Sequence, residues 1–243
     1  MQNKIEYCVY GRYGLFSDPI LRMGGEKCSY PIPTYQAIKG ITESLYWKPS
    51  IIWIIDEVRV MHPIRTEAKN IRPISYNVLS SNHHIPKNTL SIYTYLVDVK
   101  YQVRAHFILN ESRRGELDEE DFKEEKHYNI VKRMIKKGGR RDIFLGTREC
   151  QGYVEPCSFL EEKGYYDEVR EIDFGVMFHG FDYPDETQTD YLAARFWHPK
   201  MINGVIYFLP PEKISEKMKR PIRPMMRKKF GKEKVDGMDA KTM

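Results

Sequence analysis

The chain has 243 residues, 41% of them apolar, 13% aromatic and 30% charged. That is enough apolar content to bury the core of one large domain or two small ones and too much for a disordered chain. The formal net charge is +5, yet the longest aliphatic and aromatic run, residues 51–55, is too short to span a bilayer, and residues 1–6 carry no apolar signal-peptide core.

The elements follow in chain order. Residues 5–10 alternate and predict a first strand, ended by Gly11-Arg-Tyr-Gly14. An irregular, proline-rich stretch leads to Thr34, which opens a helix with an apolar stripe at Ala37, Ile38, Ile41 and Leu45, stopped by Pro49. Residues 51–60 are β-branched and mostly apolar, a strand covered on both faces. Residues 63–88 read as loop. Residues 89–109 alternate over a length that fits two paired strands, with a bend at Val97-Asp98. A second helix is expected over 117–137, capped by Gly138-Gly139. Residues 143–157 read as strand, turn at Gly152, strand; residues 172–178 and 193–209 as further strands, the last with an Asn203-Gly204 hairpin turn.

Strand, helix, strand, strand, helix, strand, followed by hairpins, is the order of the ferredoxin-like split βαβ pattern, also the sheet of the RRM type of RNA-binding module. Such a fold hosts many activities and decides none of them.

Charge is unevenly placed. Residues 212–243 hold eleven Lys or Arg against five Asp or Glu, so the rest of the chain is close to neutral. Within it, residues 132–141 carry six positive charges and no negative one, preceded by eight acidic residues over 111–125. Such runs form either a solvated helix face or a ridge that contacts phosphates. The four cysteines, Cys8, Cys28, Cys150 and Cys157, form no CxxC pair and read as reduced thiols of a cytoplasmic protein.

Several stretches are more particular: Tyr10-Gly-Arg-Tyr-Gly, Gly24-Gly-Glu-Lys-Cys-Ser-Tyr-Pro, Leu45-Tyr-Trp-Lys-Pro, Pro63-Ile-Arg-Thr-Glu, Lys126-His-Tyr, Gly138-Gly-Arg-Arg-Asp-Ile-Phe-Leu-Gly-Thr-Arg-Glu-Cys-Gln-Gly-Tyr and Phe178-His-Gly-Phe-Asp-Tyr-Pro. Together they resemble the CRISPR-associated family-5 proteins of the type I-C (Dvulg) subtype over residues 5–210. The loop 77–88 and the segment after Pro211 carry no part of the resemblance.

The resemblance implies an α+β architecture. Residues 211–243, outside the resemblance, are expected from composition alone to form a basic, flexible tail; within the resemblance, a ferredoxin-like (RRM-type) antiparallel sheet with two helices spans 1–155 and a small C-terminal antiparallel β-sheet extension spans 156–210. The resemblance implies a metal-independent endoribonuclease that cleaves CRISPR precursor RNA at the base of the repeat hairpin. The enzyme then stays on the 5′ handle as a subunit of the type I-C surveillance complex, with no cofactor and no membrane. Two rivals remain: a handle-binding structural subunit that does not cut, and a nonspecific binder of duplex DNA.

The family's catalytic set carries over to Tyr46, Lys126 and His127. Cleavage by the 2′-OH, which leaves a 2′,3′-cyclic phosphate, needs a base, an acid for the 5′-oxygen and a cation for the phosphorane. Tyrosine, with a reference pKa of about 10, is a base at neutral pH only if a cation lowers that value. Histidine is the readier proton carrier. His127 is therefore expected to transfer protons, Lys126 to stabilise charge, and Tyr46 to orient or deprotonate the 2′-OH. For RNA contact the candidates are Arg12, Lys27, Arg65, Arg72, Lys136, Lys137, Arg140, Arg141 and Arg148, interleaved with Tyr13, Tyr30, Tyr35 and Trp47. Gly138-Gly-Arg-Arg leads this set because glycine lets a phosphate approach the backbone. Of seven histidines only His83-His84 are adjacent, and no zinc or HExxH spacing occurs, so no metal site is expected.

Overall fold

A computed structural model describes residues 3–18, 26–72 and 90–227. In chain order the elements are β1 (Lys4–Gly14), β2 (Lys27–Cys28), α1 (Tyr35–Leu45), β3 (Ile51–Val60), β4 (Thr66–Ile71), β5 (Ser91–Leu109), α2 (Glu124–Lys137), β6 (Ile143–Phe144), β7 (Gln151–Pro156), β8 (Ile172–Asp173), β9 (Met177–Asp182), α3 (Pro184–Thr187), β10 (Tyr191–Trp197), β11 (Lys200–Ile202), β12 (Val205–Tyr207) and β13 (Lys219–Pro224). The larger sheet runs β6-β7-β1-β5-β3-β12-β11-β8, with β2 and β4 also on β5; the smaller runs β13-β10-β9. Its ladders are antiparallel except β2 on β5, so the chain is an α+β protein built mainly of antiparallel sheet.

Alternation along the strands sorts the larger sheet into two faces. Tyr7 and Val9 of β1 and Val103, Ala105 and Phe107 of β5 are buried toward α1 and α2. The Thr34 side chain caps α1 by accepting the Ala37 N–H at 3.1 Å. Ile38, Ile41 and Leu45 of that helix complete the core, and the Tyr7 and Thr42 hydroxyls meet inside it at 2.8 Å. The far side of α1 packs on the smaller sheet, where Gln36 Oε1 accepts the Phe181 N–H at 3.2 Å. Lys39 is buried there against Glu186, with Nζ–O distances of 2.5 and 2.6 Å; a buried lysine survives only with such a partner.

The middle of the sheet's other face is charged, and residues 157–168 cover it. Phe159 N–H donates to Glu6, Leu160 N–H to Gln102, and Arg59 reaches both the Glu162 carbonyl at 2.7 Å and Asp167 at 2.6 Å. Arg104 bridges Glu6 and Glu57 and lies over the Phe159 ring.

Several elements depart from expectation. The stretch read as two paired strands is the single nineteen-residue β5. Its bend falls at Asp98, φ 53, a left-handed conformation that aspartate tolerates. Residues before the bend pair with β4, itself inside the stretch read as loop, residues beyond it pair with β3, and the β1 ladder runs past the bend on both sides. The second helix starts at Glu124 rather than 117, because 111–113 and 119–122 form separate 3-10 turns held by local ion pairs of Arg114 with Glu111 and Glu119. Gly138 caps it in the left-handed region, φ 86. The turn expected at Gly152 lies instead at 145–150, since Gly152 is a ladder residue of β7 opposite Ile143. There Gly146, φ 96, passes so close to Leu15 that a Cβ would sit 2.0 Å from its carbonyl oxygen.

The basic tail expected to be flexible from 211 forms defined elements as far as β13. Its β13 pairs with β10, Ile214 is 4% exposed in the core, and Arg227 bonds Glu116 at 3.1 Å. Positive charge is compatible with a strand at a sheet edge, where the side chains stay in water. Residues 228–243 and the loop 77–88 lie outside the described residues.

Candidate functional site

Tyr46 is the residue at which α1 stops; its backbone is extended and its carbonyl accepts the Trp53 indole N–H at 2.8 Å. Lys126 and His127 sit in the first turn of α2. The end of α1 lies beside the start of α2 on one face of the sheet, so residues 81 positions apart meet: the Tyr46 hydroxyl lies 2.8 Å from His127 Nδ1.

The other ring nitrogen defines the tautomer. His127 Nε2 is 2.8 Å from the Asp121 backbone carbonyl, which can only accept, so Nε2 carries hydrogen and the Ser50 hydroxyl stands 3.4 Å from it. Nδ1 of the neutral ring is then an acceptor, and the Tyr46 hydroxyl donates to it. Burial, helped by the neighbouring charges of Lys126 and Lys48, holds the imidazole below its ordinary pKa against the pull of the Asp121 carbonyl. His127 is 0% and Tyr46 1% exposed, with the Phe107 ring edge-on to the histidine at 5.9 Å. Lys126 is the outward member, 40% exposed and paired with Asp121 at 2.9 Å. The arrangement can pass a proton from phenol to imidazole, and Asp121 holds both the far side of the ring and Lys126.

The arginines and lysines fall into two groups. Lys136, Lys137, Arg140 and Arg141 end α2 and its cap; Lys136, Lys137 and Arg141 are exposed, and Gly138 to Arg141 line a cleft of about 490 Å³ with Gln151, Gly152 and Tyr153. The backbone of this segment is not available to a phosphate. Gly138 and Gly139 N–H close the helix on Ile135 and Met134, and Arg140 and Arg141 N–H both donate to the Ser44 carbonyl. Its contribution to anion binding is therefore through side chains, a correction to the glycine argument.

Arg12 on β1, Lys27 on β2, Arg65 and Arg72 beside β4, and Arg148 in the β6–β7 loop make the second group, spread along the sheet. Lys27 lies over Tyr93 and Arg12 beside its neighbour Tyr13. Of the aromatics proposed with them, Tyr30 and Tyr35 are buried, Tyr35 stacked on His179 at 4.3 Å, and present no face to a ligand. Trp47 lines a separate cleft of about 380 Å³ with Gln36 and Glu43. Ser50 and Asp121, which hold His127, carry no sequence signal, because their role depends on chain segments brought together only by the fold. Among the described residues no group of three His, Cys, Asp or Glu is placed to share a metal ion.

Two solved structures share this architecture. One, a CRISPR-associated protein, is 35% identical with a TM-score of 0.71, covering 87% of this chain and 94% of the other. The second, a functionally uncharacterized protein of Streptococcus mutans, is 37% identical with a TM-score of 0.69, covering 87% and 95%. The chain is thus of the class of CRISPR-associated proteins. It belongs to the family described as CRISPR-associated protein (Cas_Cas5), whose model matches residues 5–209. A curated relative from Mannheimia succiniciproducens, named CRISPR pre-crRNA endoribonuclease Cas5d, is 28% identical over 90% of this chain and the whole of that protein.

Proposed function

We propose that this chain is an endoribonuclease that cuts CRISPR precursor RNA at the base of the repeat hairpin and remains on the 5′ handle as a subunit of a type I-C surveillance complex. The observation that carries the proposal is the 2.8 Å hydrogen bond between Tyr46 and His127, with exposed Lys126 next to His127 in the first turn of α2, in a chain of this family. The core is read as ferredoxin-like: the order β7-β1-β5-β3, all antiparallel, with α1 and α2 on one face, supports it. On this reading residues 1–155 are the processing unit and 156–210 an extension.

In the proposed step the 2′-oxygen bonds to phosphorus as the P–O5′ bond breaks. The 2′-OH gives its proton to the Tyr46 oxygen while Tyr46 passes its own to His127 Nδ1. Lys126 offsets charge on the phosphoryl oxygens and supplies a proton to the departing 5′-oxygen. His127, fully buried, acts only through Tyr46, which is a narrower role than the sequence suggests. Tyr46 is 1% exposed, so its phenol must become accessible for RNA to reach it, and Asp121 must release Lys126. The acidic carboxylate that leaves Lys126 is replaced there by phosphate.

The test is to incubate the protein with repeat RNA in EDTA. A single cut leaving a 2′,3′-cyclic phosphate is expected, and a 2′-deoxy substitution 5′ of the scissile phosphate blocks it. Cutting of the deoxy substrate at the same phosphate would require water as nucleophile and overturn the proposal. The rival reading, a handle-binding subunit that does not cut, draws on the burial of Tyr46 and His127 and predicts tight binding without product. Exposed Lys136, Lys137 and Arg141 attract any polyanion, duplex DNA included, in a salt-sensitive way.

A further inference from the structure

Tyr10 and Tyr153 face each other across the β1–β7 ladder with ring centroids 5.8 Å apart. Both are solvent-facing, 36% and 57% exposed. Residues 157–168 cover the middle of this sheet face, and the pair lies at the end they leave open. Tyr153 is on the rim of two clefts. The first is the one lined by Arg140 and Arg141, with Asp142 as its single acid. The second, about 450 Å³, is lined by Tyr10, Gly11, Arg12, His62 and Lys100 but also by Asp98 and Glu155. Lys100 is itself bound to Glu162 at 2.7 Å.

The two clefts suit different parts of one nucleotide chain. The first is cationic and suits phosphates. The second is close to charge balance and walled by aromatic rings, so it suits an uncharged planar group better than an anion. Aromatic faces exposed on a sheet are the usual support for unpaired bases, at about 1–3 kcal/mol per stacked base. A cross-strand tyrosine pair with no ligand is worth only about 0.2–1 kcal/mol to a sheet, little reason to leave two rings in water beside arginines.

We propose that Tyr10 and Tyr153 are a stacking platform for an unpaired base of single-stranded RNA, with Arg140 and Arg141 holding the phosphates next to it. This rests on the reading of the chain as an RNA-processing protein and names the part of that RNA, the unpaired flank, which this face receives.

The test measures binding, not cutting. The full chain is titrated with single-stranded (rA)12 carrying one 2-aminopurine and, separately, with a blunt RNA duplex. Tyr10→Ala with Tyr153→Ala is expected to weaken single-strand binding by about 5- to 150-fold, the stacking range converted at 1.4 kcal/mol per decade, and to remove the 2-aminopurine fluorescence change, with duplex binding unaltered. Tyr10→Phe with Tyr153→Phe is expected to behave as wild type, since a ring and not a hydroxyl is needed. Unchanged single-strand affinity in the Ala variant would overturn the platform and leave the pair as a protein-facing surface. Equal loss for duplex, or loss in the Phe variant, would likewise overturn it. A protein that binds in this pattern and cuts nothing keeps the platform while the endoribonuclease reading fails.

Discussion

The Ser44 carbonyl oxygen accepts the backbone N–H of Arg141 at 3.1 Å, and it shares that acceptance with Arg140 at 3.2 Å. Two residues before Tyr46, the end of α1 is thereby tied to the cap of α2. The end of α1 thus meets α2 at both of its ends: Tyr46 bonds His127 in the first turn, and Ser44 holds the segment after the C-terminal cap that carries Arg140 and Arg141.

Tyr46→Phe removes the hydroxyl and keeps the ring. Cutting is expected to slow by about 10²–10⁴, the usual worth of positioned proton transfer, with RNA affinity almost unchanged. His127→Ala should show a similar rate loss and, because the ring is fully buried, a lower melting temperature as well. Single-turnover cleavage with parallel binding and melting curves separates the two effects. An unslowed Tyr46→Phe enzyme would remove the phenol from the mechanism.

The pH profile has a defined sign. The base form of His127 is the neutral one, so the rate should climb about tenfold per pH unit below its pKa and level off above it. Because burial and two lysines lower that pKa, the break should fall below the ordinary imidazole value of about 6.5. Lys126→Ala, which removes one of those cations, should move the break upward while also slowing the plateau. A break above 7 in the wild type would assign the titration to another group.

Arg140→Ala with Arg141→Ala deletes side chains and leaves the N–H bonds to Ser44. RNA affinity should fall by about 1–3 kcal/mol, as for lost charge-assisted contacts, and the salt dependence should become shallower. Melting should not change. Unaltered affinity would place both arginines on an idle surface.

Truncation should divide the tail at Arg227. Ending the chain there deletes five Lys and three acidic residues and is expected to lower low-salt RNA affinity only slightly, with the melting temperature and cut position retained. Ending it at Pro210 removes β13 and Ile214, opens the β10 edge, and takes away Lys219, which stands 3.7 Å from Asp182. That protein should melt markedly lower or fail to accumulate.

Acid should destabilise the fold through His179. The ring is fully buried, and burial with Arg195 beside it pushes its pKa down to about 3. The unfolded chain, near 6.5, takes the proton first, so stability is complete above pH 6.5 and is lost as pH falls toward 3. At 1.36 kcal/mol per unit the loss between pH 6.5 and 5 is about 2 kcal/mol. Urea unfolding at the two pH values measures it, and His179→Gln should flatten the difference.

Helix α1, β3 and the Asn203-Gly204 turn were legible because each rests on local chemistry: a threonine cap, a β-branched run, and a pair that accepts φ of 49 and 79. The bent β5 and the tail strand β13 were not, because alternation does not say which neighbour a strand will find. At the candidate site, the motifs singled out Tyr46 and His127, which the fold does bring into contact, whereas their burial was not legible. That Asp121 would turn a carbonyl toward His127 depends on where a 3-10 turn docks, and the burial of the ring likewise depends on the fold. Tyr10 and Tyr153, 143 positions apart, became neighbours only through strand register.

The ladder between β12 and β3 has a consequence for synthesis. Residues 205–207 pair with residues 57–59, so the outer edge of β3 is closed by a part of the chain that leaves the ribosome about 150 residues later. At about 5–20 residues per second the nascent protein waits on the order of ten to thirty seconds with that edge unpaired. An open edge beside Ile55 and Val58 invites pairing with a second nascent chain. Slow translation of the middle of the message should therefore raise the aggregated fraction, even though the finished protein is unaltered.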